Sequence, residues 1–114
     1  MIVDIHAHVF KSPRIRSSPA ATPFMSVEQQ LDLMDAKGID RAVILPLRSS
    51  PVPGAEPQSI TEILEICEAH PGRFIPFCNV EPRLGKREEN IVSEDFTWLL
   101  EQFRDLGCRG LGEL

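Results

Sequence analysis

The run RAVILP, residues 41–46, decides the fold of this chain. It is a short apolar segment between two helical patterns, and a run of this length is best interpreted as a buried strand. Strands that alternate with helices form parallel sheets, because each helix crosses back over the sheet before the next strand starts. A buried strand between two helices therefore predicts an α/β fold.

Amphipathic helices are predicted on both sides of the run. The first spans Val27 to Lys37 and ends at Gly38, and the second stops at Pro71-Gly72. Each starts with a serine followed three residues later by Gln or Glu, which is the pattern of a capping box. The capping pairs are Ser26 with Gln29 and Ser59 with Glu62. The apolar stripe of the first helix consists of Val27, Leu31 and Met34, and that of the second consists of Ile60, Ile63, Leu64 and Cys67.

Three further strands complete the alternation. They are predicted at residues 2–10, 73–80 and 108–114, although Pro76 weakens the second of these, since proline cannot donate to a central ladder. A third helix is expected to start near Ser93 and end at Gly107, with an apolar stripe of Phe96, Leu99, Leu100, Phe103 and Leu106. The order is β-α-β-α-β-α-β in a single domain, residues 1–114.

The connections of this unit are asymmetric. Turns from helix to strand are very short, whereas the connections from strand to helix are long, at roughly residues 11–25, 47–58 and 81–92. In a parallel α/β fold all strand-to-helix loops emerge at the carboxyl edge of the sheet, where such folds place their sites. We expect the functional site at that edge.

Composition excludes several classes of function. The net charge is −5, which argues against nucleic acid as the main partner, and no apolar run approaches the length of a membrane span. The N-terminus lacks the basic segment of a signal peptide. Three cysteines without C-x-x-C spacing indicate reduced, buried thiols, so we expect a cytoplasmic protein.

Two histidines stand one residue apart in the first strand, within DIHAH at residues 4–8. Strand side chains alternate between faces, so Asp4, His6 and His8 are predicted to share one face and the apolar residues between them the other, which packs under the helices. Two imidazoles about 7 Å apart at Cα can reach one divalent metal ion, most often Zn²⁺. The alternative is a pair of partly buried histidines held by ordinary hydrogen bonds, with Asp4 holding a histidine or a backbone group.

A catalytic metal needs about three protein ligands and an open position for water. Glu113 is the third candidate, because it ends the fourth strand at the same edge as the histidine pair; a solvated terminal glutamate is an equally good interpretation. His70 lies at a helix C-terminus on the opposite edge, and we interpret it as an exposed cap residue that the helix dipole favours.

The opening DIHAHVF resembles the first-strand signature of the amidohydrolase superfamily, and more narrowly of its amidohydrolase-related (amidohydrolase 2) group. RAVILP, HPGRFIPFCNVEPR and FRDLGCRGLGEL resemble the second, third and fourth strands of that group in order. The resemblance implies the first half of a TIM (β/α)₈ barrel with a divalent metal at its carboxyl face, for which His6 and His8 match two ligands. The segment GEL at 112–114 also resembles the fourth strand of TatD-type metal nucleases, in which the glutamate is a ligand.

The resemblance departs from a complete barrel in length, because such a barrel needs about 250 residues. The family's further ligands, a histidine on the fifth strand and an aspartate on the eighth, have no counterpart here. The alternatives are a truncated chain, one piece of a split gene, or a half-barrel. In each case we expect pairing with another copy or with a missing C-terminal half, since the edge strands would otherwise be open.

The resemblance implies a metal-dependent hydrolase acting through metal-activated water; the alternatives are a decarboxylase or hydratase of the same group, and a non-catalytic fragment or assembly module. We expect this chain alone to be inactive.

The strand-to-helix loops carry a net charge of +3, which favours a small carboxylated substrate, and Arg83 is the candidate substrate-binding residue. The loop charges are Lys11, Arg14, Arg16, Arg48, Arg83, Lys86 and Arg87 against Glu56, Glu81, Glu88 and Glu89.

Overall fold

The computed structural model describes residues 1–13, 24–47, 58–82 and 90–112. The elements in chain order are β1 (Val3–Ala7), β2 (Val9–Phe10), β3 (Met25–Ser26), α1 (Val27–Lys37), β4 (Arg41–Ile44), α2 (Ile60–Ala69), β5 (Phe74–Cys78), α3 (Ser93–Asp105) and β6 (Gly110–Leu111). The predicted alternation of strands and helices is confirmed. No helix within these ranges is long and apolar enough to cross a lipid bilayer.

A four-stranded parallel sheet in the order β1-β4-β5-β6 forms the centre of the fold. The run at 41–46 supplies β4, between β1 and β5, as its apolar character predicted. Pro76 pairs in register with Ile44, and its carbonyl accepts a hydrogen bond from the backbone of Arg109 at 2.8 Å. The proline therefore lies inside a formed strand, and its carbonyl faces the β6 side.

The hydrophobic core lies between one face of this sheet and the helices α1 and α2. Apolar side chains on β4 alternate, so that Ala42 and Ile44 point into the core, where they are fully buried. Met34 of α1 and Ile63 of α2 are also fully buried there. The cluster consists of Ala7, Val9, Val27, Met34, Ala42, Ile44, Ile63, Ile66 and Phe74.

The two predicted capping boxes differ in the structure. The Ser26 box is complete: its hydroxyl accepts from the Gln29 N–H, and the Gln29 side chain accepts from the Ser26 N–H. Ser59 caps α2 by accepting from the Glu62 N–H, but the Glu62 carboxylate accepts from the Lys11 N–H at 2.8 Å. The predicted second box is thus half wrong, because the segment after β2 offers Glu62 a competing donor.

The strand predicted at residues 2–10 is interrupted at His8. Residues Val3–Ala7 belong to the main sheet, whereas Val9–Phe10 pair in parallel with β3 in a separate two-stranded sheet. The ring of Phe10 packs against Phe24, with centroids 4.8 Å apart. The interruption directs the chain from the main sheet toward the start of α1.

The strict alternation predicted for the first strand is also wrong. Asp4 pairs with Ala42 and Ala7 pairs with Ile44, so the register shifts by one residue between them. An extra residue of this kind breaks the two-residue period on which the shared face of Asp4 and the histidines rested. Ile5, predicted to pack under the helices, is 78% exposed on this edge strand.

Helix α3 carries the predicted apolar stripe but has no buried residue. Its stripe residues are half-buried, except Leu106, which is exposed, as is Trp98 on the same helix. The sequence pattern correctly identified the helix, and its apolar stripe is only partly covered by the described part of the chain. Strand β6 spans Gly110–Leu111, shorter than the predicted 108–114, of which residues 113 and 114 lie outside the described part.

Two glycines at the end of the chain allow close packing over β6. A Cβ on Gly110 would lie 2.5 Å from Cζ of Phe77, and one on Gly112 would lie 2.6 Å from Cδ2 of Leu45. The side chains of Phe77 and Leu45 therefore lie directly against the β6 backbone. The contact with Gly112 therefore holds the side chain of Leu45, the residue that follows β4, against the end of β6.

We expect Gly110→Ala to lower the free energy of unfolding by about 1–2 kcal/mol, because the Phe77 ring must move out of its position over β6. Urea denaturation followed by circular dichroism measures this effect. In a Phe77→Ala background the same substitution should cost much less, so the two costs should be strongly non-additive. Additive costs would show that the ring does not constrain Gly110.

The three cysteines are free thiols: Cys78 and Cys108 are buried and Cys67 is half-buried. Burial, with a smaller contribution from the nearby Cys108, raises the pKa of Cys67 to about 11. Burial likewise raises the pKa of Cys108 to about 11, and the pKa of Cys78 shifts upward for the same reason. The expectation of largely buried cysteines is therefore met in the structure.

These shifts predict a loss of stability at alkaline pH. A thiol whose pKa rises from 9.0 to about 11 on folding keeps its proton longer in the folded state, so the free energy of unfolding should fall as the pH rises through that window. The chain has no tyrosine, so no phenol titrates there. Urea denaturation between pH 8 and about pH 11 measures the slope. The double variant Cys67→Ala, Cys108→Ala should flatten it, and an unchanged slope would contradict the assignment to these thiols.

Candidate metal site

The rings of His6 and His8 converge at the end of β1. Their Nε2 atoms lie 3.1 Å apart, and their centroids are 5.0 Å apart with the ring planes at 84°. His6 is exposed and His8 is half-buried. The structure thus brings together the two side chains that the spacing predicted would converge.

The backbone fixes the tautomer of His8. Its Nδ1 lies 3.0 Å from the carbonyl oxygen of Leu45, the residue immediately after β4. A carbonyl only accepts, so Nδ1 of the neutral ring carries the proton and the lone pair is on Nε2, directed toward His6. Metal-binding histidines typically have this arrangement, in which the nitrogen that does not bind the metal donates to a carbonyl.

The separation of the two Nε2 atoms fits a shared metal ion. Two nitrogen ligands at about 2.0–2.1 Å from one Zn²⁺ are about 3.3 Å apart at a tetrahedral angle, and about 2.9 Å apart at a right angle. The observed 3.1 Å lies between these values. In the metal-free chain the same distance fits a hydrogen bond in which His6 Nε2 donates to the lone pair of His8.

Asp4 has a local role in the structure. Its Oδ1 accepts a hydrogen bond from the backbone N–H of His6 at 3.0 Å. The sequence left open that Asp4 holds a histidine side chain or a backbone group, and the structure shows the second of these. Such a contact orients the main chain of His6. The register shift between Asp4 and Ala7 removes the strict alternation on which the expectation of a shared face rested.

The described residues contain no group of three or more His, Cys, Asp or Glu side chains that could hold a metal ion. Glu113, the predicted third ligand, lies outside the described residues, as does Arg83. His70 is the C-cap of α2, where its ring meets Phe74 edge to face. Within the described ranges, the candidate site therefore consists of the histidine pair and the backbone that holds it.

The structure also shows residues at this edge that the sequence reasoning missed. The Leu45 carbonyl is a backbone group, for which no sequence pattern exists. The Asn79 side chain donates to the Pro46 carbonyl at 2.9 Å, and Gln58 contacts both Val9 and Leu47. Asn79 is a polar residue near the end of the predicted strand 73–80, and Gln58 is a polar residue just before the predicted second helix; these positions were the available signal.

One of the basic residues assigned to the mouth of the site has partners on a helix. The Lys11 ammonium forms an ion pair with Glu65, and its backbone N–H donates to Glu62, so the segment after β2 is tied to α2. Its charge is thereby offset, which lowers the positive charge expected at the mouth. Arg14, Arg16, Arg48, Lys86, Arg87, Glu56, Glu88 and Glu89 lie outside the described residues.

No protein-family model and no curated protein matches this chain. Among solved structures, it is similar to a probable 2-pyrone-4,6-dicarboxylic acid hydrolase from Acinetobacter baumannii, determined with citric acid bound, at a TM-score of 0.53 and 17% sequence identity. The match covers 96% of this chain and 36% of that structure, so this chain spans about a third of its length. The fold is thus a half-barrel α/β unit of the TIM-barrel type, as predicted.

Proposed function

We propose that this chain carries the first-strand metal ligands of a metal-dependent hydrolase of the amidohydrolase superfamily, in its amidohydrolase-related group. The observation that carries the proposal is the convergence of two Nε2 atoms at 3.1 Å, one of them fixed as an acceptor by the Leu45 carbonyl. An ordinary hydrogen bond between the two rings accounts for the same distance, so the affinity of the pair for metal is the measurement that separates the two interpretations.

The structural neighbour supports both the proposed hydrolase activity and the proposed class of substrate. It is a hydrolase by name, its named substrate is a dicarboxylic acid, and it was determined with citric acid. The proposed substrate of this chain is likewise a small carboxylated molecule, with Arg83 as the residue that would pair with a carboxylate. Bidentate pairing to arginine is the strongest way to hold such a group.

The residues of this chain have defined tasks in the proposal. His6 and His8 would hold the ion through their Nε2 atoms, and Glu113 would supply the third ligand; Zn²⁺ suits this mixed nitrogen and oxygen set. When bound, such an ion provides Lewis acidity toward a carbonyl and lowers the pKa of water. The Leu45 carbonyl keeps His8 oriented throughout, since its hydrogen bond is on the opposite nitrogen.

The sheet edges point to a partner for the complete site. Strands β1 and β6 are the edges of the main sheet in the described part of the chain, and Ile5 and Leu111 on them are exposed. The Arg41 Nε is buried without a hydrogen-bond partner in those ranges. We therefore propose that four further strands close the barrel, supplied by a second copy of this chain or by a C-terminal half.

The test combines Zn²⁺ affinity with product analysis. The chain is titrated with Zn²⁺ against a chromophoric chelator, and the zinc-loaded chain is then incubated with 2-pyrone-4,6-dicarboxylic acid as the probe. Ring opening is followed by loss of the pyrone absorbance, and carbon dioxide release is measured in parallel. The double variant His6→Ala, His8→Ala is the control.

The outcomes separate the proposed function from its alternatives. Zinc-dependent ring opening that the double variant lacks supports a hydrolase, and zinc-dependent carbon dioxide release instead supports a lyase of the same group. Zinc bound through the pair with neither product is the result expected of a half-barrel without its partner strands, and it supports the metal-binding part of the proposal alone. Equal zinc affinity in the wild type and the double variant would overturn the proposal.

A further inference from the structure

Gln58 is a buried polar side chain next to the histidine pair, and only 8% of it is exposed. Its Nε2 donates to the Val9 carbonyl at 2.6 Å, and its Oε1 accepts from the Leu47 N–H at 3.4 Å. Its own backbone N–H donates to the Leu47 carbonyl at 2.8 Å. One residue therefore joins the segment after β1 to the segment after β4.

These contacts lie on both sides of the bond that orients His8. Val9 directly follows His8, and Leu47 follows Leu45 by two residues. The carbonyl of the intervening Pro46 is held in turn by Asn79. The backbone N–H of Leu45 donates to the Ala7 carbonyl at 3.0 Å on the near side of His8, and the Gln58 side chain joins the same two main chains on the far side, at Val9 and Leu47.

The position of Gln58 in the sequence does not explain its burial. It precedes Ser59, the N-cap of α2, where an apolar residue that packs on the helix is common. A buried amide is costly unless its donor and acceptor are both satisfied, and here both are satisfied by backbone groups beside the histidine pair. A purely structural role in capping α2 would not need these two partners.

We propose that Gln58 is a positioning residue for the histidine pair: it holds the main chain at Val9 and Leu47 so that the Leu45 carbonyl keeps His8 Nε2 directed toward His6. The inference rests on the proposed metal-binding function. It assigns to this chain a residue whose described hydrogen bonds go to main-chain atoms and which nevertheless determines the affinity of the pair for metal, as supporting residues around metal sites do.

The experiment compares Gln58→Met with Gln30→Met. Both glutamines are buried, and Gln30 lies on α1, so the two substitutions make the same change of side chain at different places. The first readout is the tautomer of His8 in the metal-free chain, from the ¹⁵N shifts of its ring. The second is the affinity for Co²⁺, from the absorbance of the bound ion.

Gln58→Met should convert His8 to a mixture of tautomers and weaken Co²⁺ binding about tenfold or more, whereas Gln30→Met should change neither. An unchanged tautomer and an unchanged affinity in folded Gln58→Met would overturn the inference. If circular dichroism shows that Gln58→Met is unfolded, Gln58→Asn replaces it, because its amide is one methylene too short to span both segments.

The two readouts separate this inference from the function on which it rests. If the wild-type chain binds no Co²⁺, the proposed function fails, while the tautomer of His8 still reports whether Gln58 orients the ring. If the wild type binds Co²⁺ and Gln58→Met binds it equally well with the same tautomer, the inference fails and the proposed function stands.

Discussion

Replacing His8 with alanine is expected to weaken Zn²⁺ binding by about a hundredfold or more, because it removes one of two converging nitrogen ligands and leaves His6 alone. His8 is also the better-oriented ligand of the pair, since its Nδ1 is held by the Leu45 carbonyl. Competition with a chromophoric chelator measures the affinity, and circular dichroism confirms that the variant is folded.

His70→Ala is the matched control for this prediction. It removes the remaining histidine of the chain, which caps α2, and should leave Zn²⁺ affinity within about twofold of the wild type. If His70→Ala weakened binding as much as His8→Ala, zinc would be binding to scattered surface histidines. A wild-type Zn²⁺ affinity in His8→Ala would show that zinc does not bind through the histidine pair.

Replacing Ile63 with alanine is expected to lower the free energy of unfolding by about 2–5 kcal/mol, which is enough to leave much of a small domain unfolded. Ile63 is fully buried in the cluster between α2 and the sheet, so the shorter side chain leaves a cavity. Urea denaturation followed by circular dichroism measures the loss.

Ile5→Ala makes the same change at a position 78% exposed on the edge strand β1. In a monomeric chain it should shift stability by no more than about 0.5 kcal/mol. Repeating both denaturations at several protein concentrations also tests for association through that edge. A cost of Ile5→Ala that grows with concentration would indicate that Ile5 is covered by another chain.

Much of the fold could be predicted from hydrophobic patterns and capping residues. Residues 41–46 gave the central strand, and Ser26 and Gly38 gave the bounds of α1, because these signals are local. The break at His8 and the register shift between Asp4 and Ala7 could not be predicted, since they arise from pairing with β3 and β4. The stripe of α3 identified its apolar face but carried no information about what covers that face.

The site was predictable to a similar extent. The i, i+2 spacing of His6 and His8 indicated convergence, and their Nε2 atoms do converge. The groups that orient them were missed for a physical reason: the Leu45 carbonyl belongs to the backbone, and Gln58 acts through main-chain atoms of residues distant in sequence. Contacts between backbone and side chain across a parallel sheet leave almost no trace in a single sequence.

The central claim is that His6 and His8 bind one metal ion together through Nε2. The most direct test is a Zn²⁺ titration of the ¹⁵N-labelled chain, followed through the imidazole nitrogen resonances. We predict that Nε2 of both rings shifts in parallel and saturates at one zinc per pair, while His8 Nδ1 keeps its proton and its bond to the Leu45 carbonyl. Independent shifts of the two rings, or a shift of His70 alone, would contradict the account.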